Sequence, residues 1–255
     1  MFYSAQKEHM LKLLCVTAHP DDEAGGFGGT LLHYANRGVE THVLCLTAGT
    51  AAKNRGGATS DAELAQMRRR ELAASCRVLK VTNCEVLDYP DAKLPEIDFR
   101  TVVGDVVLRI RRIRPQVVMT FGPEGGVTAH LDHGMAGVWT STACQWAGRK
   151  DRFPDQLTDG LQPHRVQKLY YVTAMFTIEG RPAIAMPPAT ASIDVAQYLE
   201  MKGTAFQQHT TQAPLFKVFE ERVSRQWKEE FFHLAAANSP QRIAMEDDLF
   251  AGVVE

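Results

Sequence analysis

Leu13-Leu14-Cys15-Val16-Thr17-Ala18, followed at once by His19-Pro20-Asp21-Asp22-Glu23, is the stretch on which the fold turns. The apolar run predicts a buried strand, and residues able to bind a metal stand just past its end. A second apolar run, Val117 to Phe121, is followed by His130-Leu131-Asp132-His133, so two strands of one sheet each deliver histidine and carboxylate beyond their termini. In open α/β sheets ligands bind in the crevice outside the carboxyl ends of the strands, where both clusters fall.

Outward from these strands the chain alternates. Thr30 to Asn36, with Gly38 just beyond, reads as a helix and its stop, and Val39 to Thr47 as a second strand, which makes a βαβ unit. Ser60-x-x-Glu63 is a capping box opening a helix whose Leu64, Met67, Leu72, Cys76 and Leu79 recur at helical spacing. Cys84 to Leu87 predicts a third strand. Phe99, Val103, Val106, Ile110 and Ile113 stripe a helix stopped by Pro115, ahead of the fourth strand at 117–121. Arg165 to Ala174 alternates as a strand and Asp194 to Gln208 reads as helical. Pro154, Pro163, Pro182, Pro187 and Pro188 put loops between Trp146 and Ser192. The pattern predicts an α/β fold with a mostly parallel, doubly wound sheet, and the 255 residues suit a single domain, 1–255.

With 28 basic against 30 acidic residues, a net charge of −2, no field argues for nucleic acid or an anionic membrane, and small-molecule chemistry fits better. Five cysteines without a CxxC, two of them (Cys15 and Cys45) inside strand-like runs, read as reduced core residues and point to a cytoplasmic location. The opening MFYSAQKEHMLKLLCVTAHP has too short an apolar stretch for a signal peptide, and no stretch is long enough to span a bilayer.

If Pro20 starts a helix, Asp21 and Asp22 lie in its first turn beside unpaired N–H groups, and both are ionised. His19 and Asp22 then converge on one ion while Asp21 points to a neighbouring spot. His133, opening the helix that contains Met135, Val138 and Trp139, supplies a third ligand. Two His and one Asp leave a coordination position open, the catalytic arrangement of zinc. Asp21 is the candidate general base. His130 is placed to meet the developing oxyanion or the leaving nitrogen, with Asp132 holding its tautomer.

In these motifs, AHPDDE at 18–23 and HLDH at 130–133, the chain resembles the PIG-L/LmbE-like zinc-dependent N-deacetylases. The likeness extends through Arg68-x-x-Glu71, Leu87-Asp88-Tyr89-Pro90-Asp91, Phe121-Gly122-Pro123, His209-x-x-Gln212 and Glu230-Phe231-Phe232. It implies a Rossmann-like fold, zinc on His19, Asp22 and His133, Asp21 as base, His130 and Asp132 assisting the tetrahedral intermediate, and Arg68 on the substrate. The implied reaction removes an acyl group, usually acetyl, from an N-acylated amino sugar, and related folds assemble as homo-oligomers in several ways. Two departures stand out. Gly125 to Ala129 replaces a stretch where some members carry Tyr-Gly, and Leu131 replaces a common proline. Thr128 cannot serve as the acid a phenol would be, so either His130 protonates the leaving amine or a tyrosine such as Tyr89 enters from elsewhere.

Other readings stay beside this one. The same water activation suits a metal-dependent esterase or phosphoesterase, and a catalytically silent sugar- or nucleotide-binding module would also keep these residues. Asp91 is a secondary candidate for sugar hydroxyls. Arg109, Arg111, Arg112 and Arg114 end a helix and complement its dipole, while Gly25-Gly26-Phe27-Gly28-Gly29 fails the dinucleotide frame at Leu31 and reads as close packing near the site.

Overall fold

A computed structural model describes residues 10–158, 160–177, 183–226, 228–240, 242 and 244–254; the start of the chain, read above for a leader, and Pro182 lie outside them. The described strands are β1 (Lys12–Thr17), β2 (Glu40–Thr47), β3 (Asn83–Tyr89), β4 (Val117–Phe121), β5 (Lys168–Thr173), β6 (Ala191–Asp194) and β7 (Glu229–Ala237). They form one sheet in the order β3-β2-β1-β4-β5-β7-β6. The first five pair in parallel, and β7 runs antiparallel between β5 and β6. The helices are α1 (Asp22–Asn36), α2 (Asp61–Val78), α3 (Phe99–Ile113), α4 (Leu131–Ala147), α5 (Leu199–Phe206) and α6 (Phe216–Gln226).

The expectation of a mostly parallel, Rossmann-like α/β sheet holds, and its physical basis is visible in burial. From their second residue on, β1 and β2 are buried, and β4 is buried throughout, which requires cover on both faces. Helices α3 and α4 pack on each other, while α1 and α2 both pack on α5. A single apolar cluster joins Leu14, Leu44, Val106, Val118, Trp139 and Phe232 across the sheet. Because β1 lies between β2 and β4, strand order reverses beside it, and the loops leaving β1 and β4 open onto the same crevice.

Local signals also hold. Ser60 Oγ accepts from Glu63 N–H at 3.2 Å, and Asp98 caps α3 by accepting from Thr101 N–H at 2.8 Å. Arg114 ends α3 in the left-handed region just before Pro115. All five cysteines are free, and Cys15 and Cys45 are fully buried. Among the described residues, no helix is long and apolar enough to cross a membrane.

Several elements differ from expectation. The first helix starts at Asp22, not at Pro20 or Thr30, and runs unbroken through Gly25 to Gly29. These glycines cost helix stability but leave room for neighbours. A Cβ on Gly29 would sit 2.6 Å from Val195 Cβ and 2.9 Å from Glu230 Oε1. Glu230, buried on β7, uses that opening: it accepts from the Gly29 and Thr30 N–H groups at 2.9 and 2.8 Å and pairs with Lys202 Nζ at 2.6 Å. Residues 194–208 are not one helix; Asp194 ends β6, a short 3₁₀ turn follows at Ala196–Tyr198, and α5 begins at Leu199. Strand β7 and helix α6 were not anticipated.

Candidate metal centre and active-site cavity

Directly after β1 the backbone is strained. Asp21 caps α1 with φ 112° and ψ −25°, a region that non-glycine residues rarely enter and that costs about 1–3 kcal/mol. Its surroundings hold it there. Arg68, 3% exposed, reaches from α2 to donate to the Pro20 carbonyl, to Gly49 O at 2.7 Å and to Asp21 Oδ2 at 2.9 Å. The Asp21 N–H donates to Glu23 Oε2 at 3.0 Å, and Glu23 also accepts from Ser75 Oγ at 2.5 Å and His209 Nε2 at 2.7 Å. Burial pushes the Asp21 carboxyl up to about 6, aided by the Asp22 charge and opposed by Arg68.

Asp22 stands between two imidazoles. Its Oδ2 accepts from the Ala18 and His19 N–H groups at 3.1 and 2.9 Å and lies 3.6 Å from His19 Nδ1, while Oδ1 is 3.1 Å from His133 Nε2. Burial opposes its ionisation, but the His133 and His19 rings hold it well below the usual carboxylate range. His133 is fixed from behind by stacking on Phe121, with ring centroids 4.0 Å apart and planes 11° apart. On the far side of His19, Nε2 lies 3.0 Å from Asp91 Oδ1 and 3.3 Å from Asp132 Oδ2. Burial disfavours charge on this ring, yet the Asp132 and Asp91 carboxylates outweigh it and raise His19 to about 10.

The donor set fits a divalent cation. Ligand atoms of His19, His130 and His133 lie within 4.8 Å of one another, as do those of His19, Asp91 and Asp132. Four carboxylates, those of Asp21, Asp22, Asp91 and Asp132, meet three imidazoles and one guanidinium here. Imidazole with carboxylate is the ligand chemistry of zinc and its neighbours.

The structure therefore brings His19, Asp21, Asp22, His130, Asp132 and His133 together. It distributes their contacts differently from expectation in two places. The Asp132 carboxylate contacts His19, not His130, and accepts from the Ala92 and Leu94 N–H groups at 2.7 and 3.3 Å. His130 instead caps α4, its Nδ1 accepting from the Asp132 backbone N–H at 3.2 Å, which leaves the neutral ring's proton on Nε2. Partial burial and the neighbouring His19 and His133 lower its pKa. Arg68 is buried against Asp21 and does not line the cavity. Tyr89 is turned away, donating its hydroxyl to Asp105 on α3.

Asp91 and the cavity walls are what sequence reasoning underrated. Asp91 looked like an acid in a turn, and nothing local named His19, 72 positions earlier, as its partner. The cavity, about 550 Å³, opens at Asp21, Asp22 and His133 and extends between β5, α5, α6 and β7. Its size is typical of small-molecule sites. Glu71, marked with Arg68 in the sequence, is buried below, accepting from Thr211 N–H at 2.8 Å and from the Thr210 and Thr211 hydroxyls.

Comparison with known proteins gives concordant results. The profile of the PIG-L family, described as GlcNAc-PI de-N-acetylase, matches residues 14–144. Diacetylchitobiose deacetylase of Thermococcus kodakarensis is 32% identical over 80% of this chain and 70% of its own length. The 1D-myo-inositol 2-acetamido-2-deoxy-alpha-D-glucopyranoside deacetylase 2 of Catenulispora acidiphila is 30% identical over 94% of this chain and 97% of its own. Among solved structures, N,N'-diacetylchitobiose deacetylase of Pyrococcus horikoshii superposes with a TM-score of 0.71 at 24% identity, covering 88% of this chain and 83% of that one.

Proposed function

Because the chain belongs to the PIG-L family, we propose that it is a zinc-dependent deacylase that hydrolyses the amide of an N-acylated amino-sugar conjugate. The observation that carries this reading is the Asp21–Arg68 pair beside Asp22, whose carboxylate lies against both His19 and His133, with Asp21, Asp22 and His133 lining a cavity. The relatives bearing deacetylase names support an acetylated amine and a sugar carrying it.

Zinc held by His19, Asp22 and His133 would supply a Lewis acid and bring the pKa of a water to about 7. The residues of the chain do the rest. Asp21 is the base that takes the water's proton, its carboxylate aimed by Arg68 and by the strained backbone. His130, neutral and carrying its proton on Nε2, donates a hydrogen bond to the oxygen that becomes negative. With Tyr89 committed to Asp105, the proton for the leaving nitrogen comes either from His130 or from Asp21 returning the one it accepted from water. Asp91 and Asp132 hold His19 from the side opposite Asp22.

The test is amine release by the zinc-loaded protein from a panel of N-acylated glucosamine conjugates, run beside phosphate release from phosphoesters. Amine release is expected. Phosphate release without amine release overturns the reading in favour of a phosphoesterase, and no turnover of either kind favours a binding module.

A further inference from the structure

The cavity is unequally lined. Beyond Asp21, Asp22 and His133 its wall is made by Val172, Met175, Phe206, Leu215, Phe219 and Phe231, which come from β5 and the loop after it, α5, the 3₁₀ turn at 210–215, α6 and β7. Met175 is 69% exposed and Leu215 42%, so an extended apolar wall is presented to solvent at the reaction centre. Contiguous apolar surface in a concave site marks a place where apolar ligand surface is buried. The charged side chains of the remaining wall have partners of their own: Lys202 and Glu230 pair with each other at 2.6 Å, and Glu229 accepts from Ser192 Oγ at 2.5 Å.

We infer that this trough receives the acyl chain of the substrate and that linear acyl groups longer than acetyl are preferred; the inference rests on the deacylase reading above. Two arguments select the acyl chain. A sugar ring laid along Val172, Phe206, Phe219 and Phe231 would bury hydroxyls without partners, at a cost of about 1–3 kcal/mol each. The trough is also lined by Asp21, Asp22 and His133, so a chain carried on the reacting carbonyl enters it without a spacer. An apolar group on the sugar's far side would first have to clear the ring. An acetyl methyl would occupy only the mouth of a 550 Å³ cavity.

The experiment is a chain-length series on one amine: N-acetyl-, N-butyryl-, N-hexanoyl- and N-octanoylglucosamine, with octyl N-acetylglucosaminide as a fifth compound, assayed by amine release from the zinc-loaded protein. The expected result is a rise in kcat/KM of about tenfold or more from acetyl to octanoyl, well within what burial of the added methylenes can supply. Met175→Asp and Leu215→Asp, both at exposed positions, should each lower the octanoyl-to-acetyl ratio by about fivefold or more. A flat or falling series overturns the inference and leaves the deacylase reading intact, and so does a gain confined to the octyl glycoside, which would assign the trough to an aglycone. If no compound releases amine, the deacylase reading falls and the same compounds serve as ligands. In that case octanoyl binding about tenfold tighter than acetyl upholds the trough, and equal affinity overturns it.

Discussion

Asp21 combines a strained backbone with the chemistry proposed for it, and the two can be separated. Asparagine is among the few non-glycine residues that tolerate positive φ, so Asp21→Asn keeps the turn while removing the base. The expected outcome is unchanged zinc stoichiometry by metal analysis with kcat down by about 10²–10⁴-fold. His133→Ala, by contrast, removes a proposed ligand and should lose metal and activity together. Asp91 offers a subtler test. Its Oδ1 is 3.0 Å from His19 Nε2 and its Oδ2 accepts from Ala51 N–H at 2.7 Å, so Asp91→Asn leaves the turn held but weakens its grip on the imidazole. Zinc affinity measured by competition with a chromophoric chelator should fall by about 10–100-fold. Unaltered affinity would separate Asp91 from the metal and return it to the role of a sugar contact.

At the level of elements, the glycine run inside α1 makes two opposite forecasts. Gly29→Ala drives a methyl into Val195 and Glu230 and should destabilise the protein by about 1–3 kcal/mol in urea unfolding. Gly26→Ala meets nothing within 4 Å, and should be neutral or stabilising by up to about 1 kcal/mol. Equal effects at both positions would refute the account of why the helix tolerates glycine. The same run shows why legibility was uneven. Strands β1, β2 and β4 could be read because burial on both faces demands continuous apolar runs, and α2 and α3 because caps and stripes are local. The run Gly25 to Gly29 reads as a breaker locally, and the side chains that use the room at Gly29, those of Val195 and Glu230, stand far along the chain. Strand β7 is Glu229-Glu230-Phe231-Phe232-His233 followed by Leu234 and three alanines, a pattern without strong strand propensity, and it exists because β5 and β6 pair with it. The metal-ligand candidates were legible because each cluster is contiguous. The partners of His19 on its other side, and the apolar trough, were not, because tertiary folding alone assembles them.

For the molecule as a whole, acid should expose one buried histidine. His164, 9% exposed, donates Nε2–H to the Pro115 carbonyl at 2.6 Å and fixes the entry to β4 against the end of α4. Burial lowers its pKa, with Arg114 adding and the Pro115 bond opposing. A folded pKa below the unfolded value of about 6.5 means the unfolded chain binds the extra proton first, so this contribution is full above about 6.5 and is lost as pH falls towards the folded value. Between pH 7 and 5 His164 should therefore pull the urea midpoint down while His19 and Asp21, raised to about 10 and about 6, push it up, so the test is the difference: the midpoint of His164→Gln should fall less, or rise more, than that of the wild type over that interval. A variant with the wild-type slope would show that other groups set the acid limit.

Every residue proposed for catalysis lies between positions 19 and 133, yet two buried acids beneath them draw hydrogen bonds from beyond that half. Glu23 waits for His209 and Glu71 for Thr210 and Thr211. On the ribosome, then, a nascent chain that already carries all of the proposed catalytic side chains would still lack His209 for Glu23 and both threonines for Glu71. The support under the proposed base is therefore complete only once the later half of the chain has emerged and docked.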